Sequence, residues 1–530
     1  MVKRLMAFGM AAGFCFYFLA GCGSSSSTKP TTGPAPLVVT VGDVPLCNLV
    51  SFRSIVNGLT LSGANGAGAV EVFTANQTVP LDFAALRDTS NVLNITSIQP
   101  GTYTEGKITL IASEMSIFDP SSSPVIRQIT PVLSSETVSF NINPPLVVPP
   151  CPVNSANPCA AGALKIDFNL GQSIPLDANG QISLGGTSTA PSAKITPVVD
   201  GTALAAAAAQ GFGQMDDVHG YILSVSNSPT SSGTTNFIGS FVLQTLPGTE
   251  TSNTTPLTGA GPTLSVNLPS ASVLIGASSL NQLTTGNFVQ VNGYVNANGS
   301  FVANQVLIED QLNIAQQFST FIGPIVSVSK DANGNVTSFS MTVTDEEPNT
   351  ESGAAPGNPV PLDVPLLTVN VSASTGFHFS APGVNYANLT PDPTFFAVGQ
   401  RVIIHGTYVP PAVQNGATTL SAANIYIPLQ TVSGTYASLL AAGSDNLTGG
   451  FIFIPCAGFF QGQRIYVVTS GVAQPNPTQF INLNGLAGLS PAPQLLIRGL
   501  LFFDQKGGAV NGIPIPANSY VMMASKVHQS

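Results

Sequence analysis

The 530-residue chain contains no tryptophan and only four histidines, and charged side chains fill 8% of its positions, against about 25% in an average soluble domain. Each shortage removes a class of function. His219, His378, His405 and His528 stand apart in sequence, so neither a His-x-His nor an HExxH pair exists to hold a metal. A Gly-x-Ser-x-Gly elbow, a Walker loop and a dinucleotide fingerprint are also missing. No catalytic residue, metal or cofactor is therefore expected. The formal net charge is −10, and a clustered basic surface of the kind that binds phosphate is not visible, which argues against nucleic acid as a partner. Without tryptophan, the strongest sugar-stacking ring is unavailable, and 29 phenylalanines outnumber 10 tyrosines. Tyr103, Tyr294 and Tyr408 remain as ligand-facing candidates, against the plainer role of capping strands with the hydroxyl in water. Long helical periodicity is absent too, apart from one short helix-like run, Ala203 to Gln210.

What fills the chain instead is short alternating runs of Val, Ile, Leu and Phe, separated by 52 glycines and 42 prolines. This is the pattern of an all-β sandwich or barrel. One stretch recurs: Val289-Gln-Val-Asn-Gly293 returns as Val402-Ile-Ile-His-Gly406 and as Leu495-Leu-Ile-Arg-Gly499. Apolar residues at i and i+2 mark one strand face, and the glycine two positions on can bend the strand or admit another backbone. By the same alternation His405, whose counterparts are Asn292 and Arg498, points away from the core and reads as an exposed polar filler.

The match extends in a fixed order through all three copies. Each opens on a glycine and a strand, at Gly220, Gly323 and Gly434, and continues with Phe241-Val-Leu243, Phe339-Ser-Met341 or Phe451-Ile-Phe453. Each closes on Ala303-Asn-Gln-Val306, Ala422-Ala-Asn-Ile425 or Ala524-Ser-Lys-Val527. The opening glycines lie 323 − 220 = 103 and 434 − 323 = 111 residues apart, the size of a small autonomous domain and not of a solenoid unit. The expectation is a β module with its own core at 219–310, at 320–430 and at 431–530.

The N-terminus reads as an export signal, with Lys3 and Arg4 followed by an apolar run from Leu5 to Ala20. Residues 1–21 would be removed, leaving a mature charge of −10 − 2 = −12. The Ser/Thr/Pro/Gly tract that follows, within 22–36, lacks the apolar surface to fold and is expected to be a flexible spacer reaching roughly 20 Å. Four cysteines remain beyond position 22: Cys47, Cys151, Cys159 and Cys456. An even count in an exported protein suggests pairing, with Cys151 and Cys159 the candidate local staple; whether Cys47 and Cys456 meet is left open by their spacing. The densest acidic group, Asp345-Glu-Glu347, reads as a solvated loop, as does Asp216-Asp217 before the first module, with a calcium site the weaker alternative.

Residues 37–200 carry seven or so short strand-like segments, among them Leu37 to Val41, Thr102 to Ile111 and Ile195 to Val199, and suggest an antiparallel sandwich. A linker with a short helix is expected at 201–218.

Three resemblances follow from these residues. Leu19-Ala-Gly-Cys22 resembles the lipobox of bacterial lipoproteins, which implies cleavage before Cys22 and acylation of its thiol; Leu19, Ala20 and Gly21 then complete the recognition sequence. Two or three acyl chains hold firmly where one is marginal, so membrane attachment through the lipid is expected. Gly23 in place of the aspartate that retains Gram-negative lipoproteins favours the outer membrane over the inner. The succession Val39-Thr-Val-Gly-Asp-Val-Pro45, Leu81-Asp-Phe83, Pro100-Gly-Thr-Tyr103, Leu164-Lys-Ile-Asp-Phe168 and Ile195-Thr-Pro-Val198 resembles an uncharacterised bacterial lipoprotein domain family, implying a carbohydrate-binding-like or prealbumin-like (Ig-like) β-sandwich. That family's first strand usually reads Thr-Asp-Ala-Pro; here it is Gly42-Asp-Val-Pro45, so the threonine is not kept. The three repeats resemble a second uncharacterised family that often follows the first, implying small OB-like barrels. Together the expectation is a non-catalytic, membrane-anchored surface or periplasmic lipoprotein with a binding or structural role in the cell envelope, glycan being one ligand class and polysaccharide or an envelope protein the partners considered. Its alternatives are an accessory of an assembly or export system that engages a protein through strand edges and, least favoured, a hydrolase of envelope polymers.

Overall fold

A computed structural model describes residues 32–529 except 45, 64–67, 74–78, 87–89, 124, 153–158, 178–180, 189, 206–211, 233–234, 246–262, 276, 278, 309–318, 348–365, 387–388, 410–418, 457, 475 and 491–492. Leu19, Ala20, Gly21 and Cys22 lie outside the described residues, as does most of the spacer and of the run from Ala203 to Gln210. The described chain is almost entirely strand.

Each repeat closes into a five-stranded ring. In the first, Gln214–Ser226 pairs antiparallel with Thr235–Thr245, which pairs with Thr263–Pro269. That third strand runs parallel to the fifth, Phe301–Ile308, and the fourth, Phe288–Val295, bridges the fifth back to the first. The second repeat joins Ser319–Lys330, Val336–Met341, Leu367–Asn370, Thr419–Ala442 and Arg401–Val409 in the same cycle. The third joins Thr419–Ala442, Gly449–Pro455, Ile465–Thr469, Ser519–Gln529 and Gln494–Asp504. Strand order 1-2-3-5-4-1 with strands three and five parallel is that of a closed OB-type barrel. A short extra strand runs parallel to the fifth in every copy: Val273–Ile275, Gly376–Ser380 and Gln479–Ile481.

The repeat glycines sit at β-bulges. The register shifts at Asn292/Gly293, His405/Gly406 and Arg498/Gly499, and a Cβ on any of these glycines would run into the carbonyl oxygen of the facing strand, from Val302, Ser421 or Met523. The extra residue bends the strand and tightens its twist, which lets so few strands close.

The second and third modules are not separate. Thr419–Ala442 is one continuous strand across the expected boundary at 430/431, serving as the fifth strand of one barrel and the first of the next. Their cores merge accordingly: Leu500, Phe502, Val521 and Met523 of the third repeat pack in one cluster with Phe339, Phe379 and Ile425 of the second. Sequence alternation shows that a strand has two faces, but not that a neighbouring barrel will cover the outer one.

Several other bounds shift. The first barrel begins at Gln214, and Ala203 and Leu204 belong to the strand Val199–Leu204, so the expected linker at 201–218 is shorter and its helix does not begin at Ala203. The spacer ends earlier than Pro36, because Thr32–Gly33 pairs with Cys151–Pro152 and Ala35 is fully buried. The segment from Ile195 to Val199 is a junction between two strands. Asp345–Glu347 is a strand paired with Ser319–Lys330, not a loop, and Asp216 and Asp217 lie within the first strand of the first barrel.

The first domain is a sandwich-like β fold of mixed direction. Its longest strands, Leu49–Gly63 and Gly101–Phe118, run antiparallel along most of their length. Gly162–Asn169, however, lies parallel to Ala35–Val44, pairing Leu164 with Val39 and Ile166 with Val41, so the sheet is not purely antiparallel as expected. Strand direction leaves no mark on a period-two pattern. Phe52, Phe83 and Phe168, with centroids 4.7 to 6.0 Å apart, fill the centre of its core.

Candidate functional site

Buried polar and sulfur-bearing side chains gather at two places, where the first domain meets the repeats and between the first two barrels. Cys47, just after the strand Ala35–Val44, is disulfide-bonded to Cys456, at the end of Gly449–Pro455 in the third barrel; the two lie 409 residues apart in sequence. The Ser433 hydroxyl lies 3.0 Å from the Cys456 sulfur. Beside the bridge, Phe118 of the first domain packs on Phe459, centroid to centroid 4.3 Å, in a cluster with Val50, Ile126 and Val326. Cys151 and Cys159 form the second disulfide.

The second barrel is gripped by Arg53. Its guanidinium donates to the carbonyl of Thr344 at 2.6 Å and of Val343 at 3.3 Å. Behind it, on the paired strand, the Asp82 carboxylate accepts from the backbone N–H groups of Phe52 (2.9 Å) and Ala84 (3.0 Å). Burial pushes Asp82 above the ordinary carboxylate range, and the charges of Arg53 and Arg401 with those two N–H bonds only partly oppose it. The first barrel meets the same domain through Phe212 and Met215, packed with Val38, Val92 and Ala163. The first domain thus touches all three barrels.

Between the first two barrels lies a polar seam. His405 is fully buried, contrary to the expected exposed position. Alternation does turn it off its own barrel's core, which takes Val402 and Ile404. The face it shares with Ile403 is covered, because Ile403, Ile322 and Tyr426 pack with Ile275 of the first barrel. The Tyr426 ring lies between those of His405 (5.0 Å) and His378 (4.8 Å). Across the seam the Ser380 hydroxyl donates to the Gln305 side chain at 3.5 Å, and Asn292 donates to the same oxygen at 2.9 Å. Sequence reasoning missed this seam; the only available signal was the run of amide and imidazole residues at the repeat's outward positions.

The three candidate tyrosines are not brought together and lie in three different sheets. Tyr103 is 1% exposed, with its hydroxyl donating to the Gln99 carbonyl at 2.8 Å, so it is a core residue and not ligand-facing. Tyr408 packs on Phe321 at 5.4 Å, against the second barrel's core. Tyr294 is half-buried on Phe288–Val295.

OB barrels that bind nucleic acids or sugars use the outer face of strands two and three. In the first barrel this face carries Ser240 and Asn267 and in the second Ser338 and Asn370, hydroxyls and amides, whereas in the third it carries Ile452, Ile454 and Tyr466. A shallow groove of about 420 Å³ lies on the first domain, lined by Val132, Pro175, Ser134, Ser183, Ser192 and Lys194. Among the described residues, no group of three or more His, Cys, Asp or Glu is placed to hold a metal ion, and no helix is long and apolar enough to cross a membrane.

Residues 249–306 match a family described as a domain of unknown function, DUF5666. The match spans the third, short and fourth strands of the first barrel and most of the fifth, so it falls on the repeating unit itself. No curated protein matches the chain.

Proposed function

We propose that this protein is a non-catalytic, exported lipoprotein, held to a bacterial membrane through acylated Cys22, whose linked β domains form a rigid binding or structural element of the cell envelope. The observation that carries the reading is the Cys47–Cys456 bridge. It ties the first domain to the last barrel, and such cross-links form and persist in oxidising compartments outside the cytoplasm. The lipobox-like Leu19-Ala-Gly-Cys22 supports the anchor, and its Gly23 supports the outer membrane.

The buried polar groups fit a scaffold. Arg53 joins the first domain to the second barrel, with Asp82 buried behind it, and Ser380 joins the second barrel to Gln305 of the first, which Asn292 also holds. The Ser/Asn-coated OB faces of the first two barrels weigh against stacking-based recognition there and favour a structural role, with polysaccharide as one ligand class and a strand-adding envelope protein as the other.

Growth of expressing cells with labelled palmitate tests the anchor. Label is expected on the wild-type chain and is expected to vanish with Cys22→Ser. An unlabelled wild-type chain would overturn the proposal.

A further inference from the structure

Along one edge, the fifth strand of each barrel changes partner. In the first barrel it pairs with the third strand through Val302 and with the short strand from Gln305, so Ala303 and Asn304 fall between the two pairings. Ala422 and Ala423 occupy the same gap in the second barrel, and Ala524 and Ser525 in the third. The gap coincides with the bulge, where Asn304, Ala423 and Ser525 are the extra residues beside the repeat glycines. A bulge disrupts the ladder locally, which opens the closing alanine's carbonyl to a donor from outside the ladder.

In every copy that donor is a side-chain hydroxyl on the residue just before the short strand. Ser272 donates to the Ala303 carbonyl at 2.8 Å, Thr375 to the Ala422 carbonyl at 2.8 Å and Thr478 to the Ala524 carbonyl at 2.7 Å. The two threonine hydroxyls also accept a backbone N–H, from Ser372 at 3.0 Å and from Ser470 at 2.9 Å. Thr375 and Thr478 are buried and Ser272 is half-buried, so deleting the hydroxyl leaves a carbonyl that water reaches poorly. Each hydroxyl thereby pins the start of a short strand to the fifth strand.

The short strands of the first two barrels carry the seam between them. Ile275, at the end of the first barrel's short strand, packs with Ile403 and Tyr426 of the second. Ser380, at the end of the second barrel's short strand, donates to Gln305 of the first, and Gln305 itself lies opposite Val273 of that barrel's short strand. A hydroxyl in one barrel therefore sets where a contact with the other barrel falls. We propose that Ser272 and Thr375 are positioning residues for this seam: acting through the short strands, they couple the first two barrels into one body. The inference rests on reading the linked domains as a rigid element, but its test is independent of the lipid, because palmitate labelling can fail while the seam holds, and the reverse.

Hydrogen–deuterium exchange of the full-length protein in detergent, read by mass spectrometry, tests the coupling from one barrel to the other. Thr375→Val is expected to speed exchange at least fivefold at Gln305 to Leu307 in the first barrel, and Ser272→Ala to do the same at Ile403 to His405 in the second. Thr375→Ser keeps the hydroxyl and is expected to exchange as wild type does. Thr478→Val breaks the equivalent bond in the third barrel and is expected to speed exchange at Gln479 to Ile481 while leaving both seam segments unchanged. Ser380→Ala leaves both hydroxyls in place and is expected to speed exchange at Gln305 without speeding it at Gly376 to His378. Increases confined to the substituted barrel, faster exchange at either seam segment with Thr478→Val, Thr375→Ser behaving as Thr375→Val does, or an unchanged Gln305 in Ser380→Ala would each overturn the proposal.

Discussion

The Cα atoms of Cys47 and Cys456 lie 5.8 Å apart although 409 positions separate them in sequence. A bond between them makes a closed loop of nearly the whole described chain, with the first domain and the third barrel at its junction. Cross-linking so long a loop restricts the unfolded ensemble more than a short staple does, by roughly 6 kcal/mol against about 2.5 kcal/mol for the Cys151–Cys159 bridge on loop-closure grounds. Calorimetry of Cys47→Ser with Cys456→Ser is expected to show a larger fall in melting temperature than Cys151→Ser with Cys159→Ser. An equal or smaller fall would mean that the domains are held together without the bridge.

Asp82 and Asp119 predict opposite responses to acid. The folded Asp82 carboxyl, raised by burial, keeps its proton at a pH where the unfolded chain has released it, so its contribution improves as pH falls from neutral toward the ordinary value of 3.8. Asp119 is lowered, first by the Ser121 hydroxyl and then by the Ser121 N–H and Arg127, which outweigh its partial burial. Its contribution is present above 3.8 and is lost as pH falls through its depressed value. Urea unfolding at about pH 7 and about pH 4 is expected to show wild type gaining on Asp82→Asn as the solution is acidified. Asp119→Asn should be less stable than wild type by nearly the same margin at both pH values, with the gap closing only as pH falls from 3.8 through the depressed folded value; the same trend in both variants between the two pH values would contradict the assignment.

The bulge glycines should be intolerant of a single methyl group. Gly293→Ala, Gly406→Ala and Gly499→Ala each place a Cβ against a backbone carbonyl that cannot move without breaking the ladder, and each is expected to cost about 2 kcal/mol or more. Gly68, with open space where its Cβ would stand, should accept alanine within about 0.5 kcal/mol. Chemical denaturation of the four variants would settle the comparison, and a neutral Gly406→Ala would show that the bulge is not needed for closure.

The repeat was legible because its signals are local. Phe-x-apolar strands, a glycine at the bulge and an Ala-x-x-apolar close each record a short-range requirement, and Phe241, Phe339 and Phe451 all lie in barrel cores. What was not legible depends on contacts across hundreds of residues. His405 reads as an outward position, and it is outward from its own barrel; only the arrival of Ile275 against the same face makes it interior. Tyr103 reads as a strand tyrosine, yet its hydroxyl finds Gln99 four residues back and the ring stays inside. Cys47 carries no mark of Cys456. The boundary at 430/431 failed because one 24-residue strand serves two barrels, and an alternating run does not show where one partner ends and the next begins.

The central claim is an acylated, disulfide-closed scaffold outside the cytoplasm, and mass spectrometry of the chain isolated from cells under non-reducing conditions tests it most directly. The account predicts a mature N-terminus at Cys22 carrying a diacylglycerol, with the Cys47 and Cys456 peptides recovered as one cross-linked species. A chain that still begins at Met1, unacylated and with both thiols free, would contradict it.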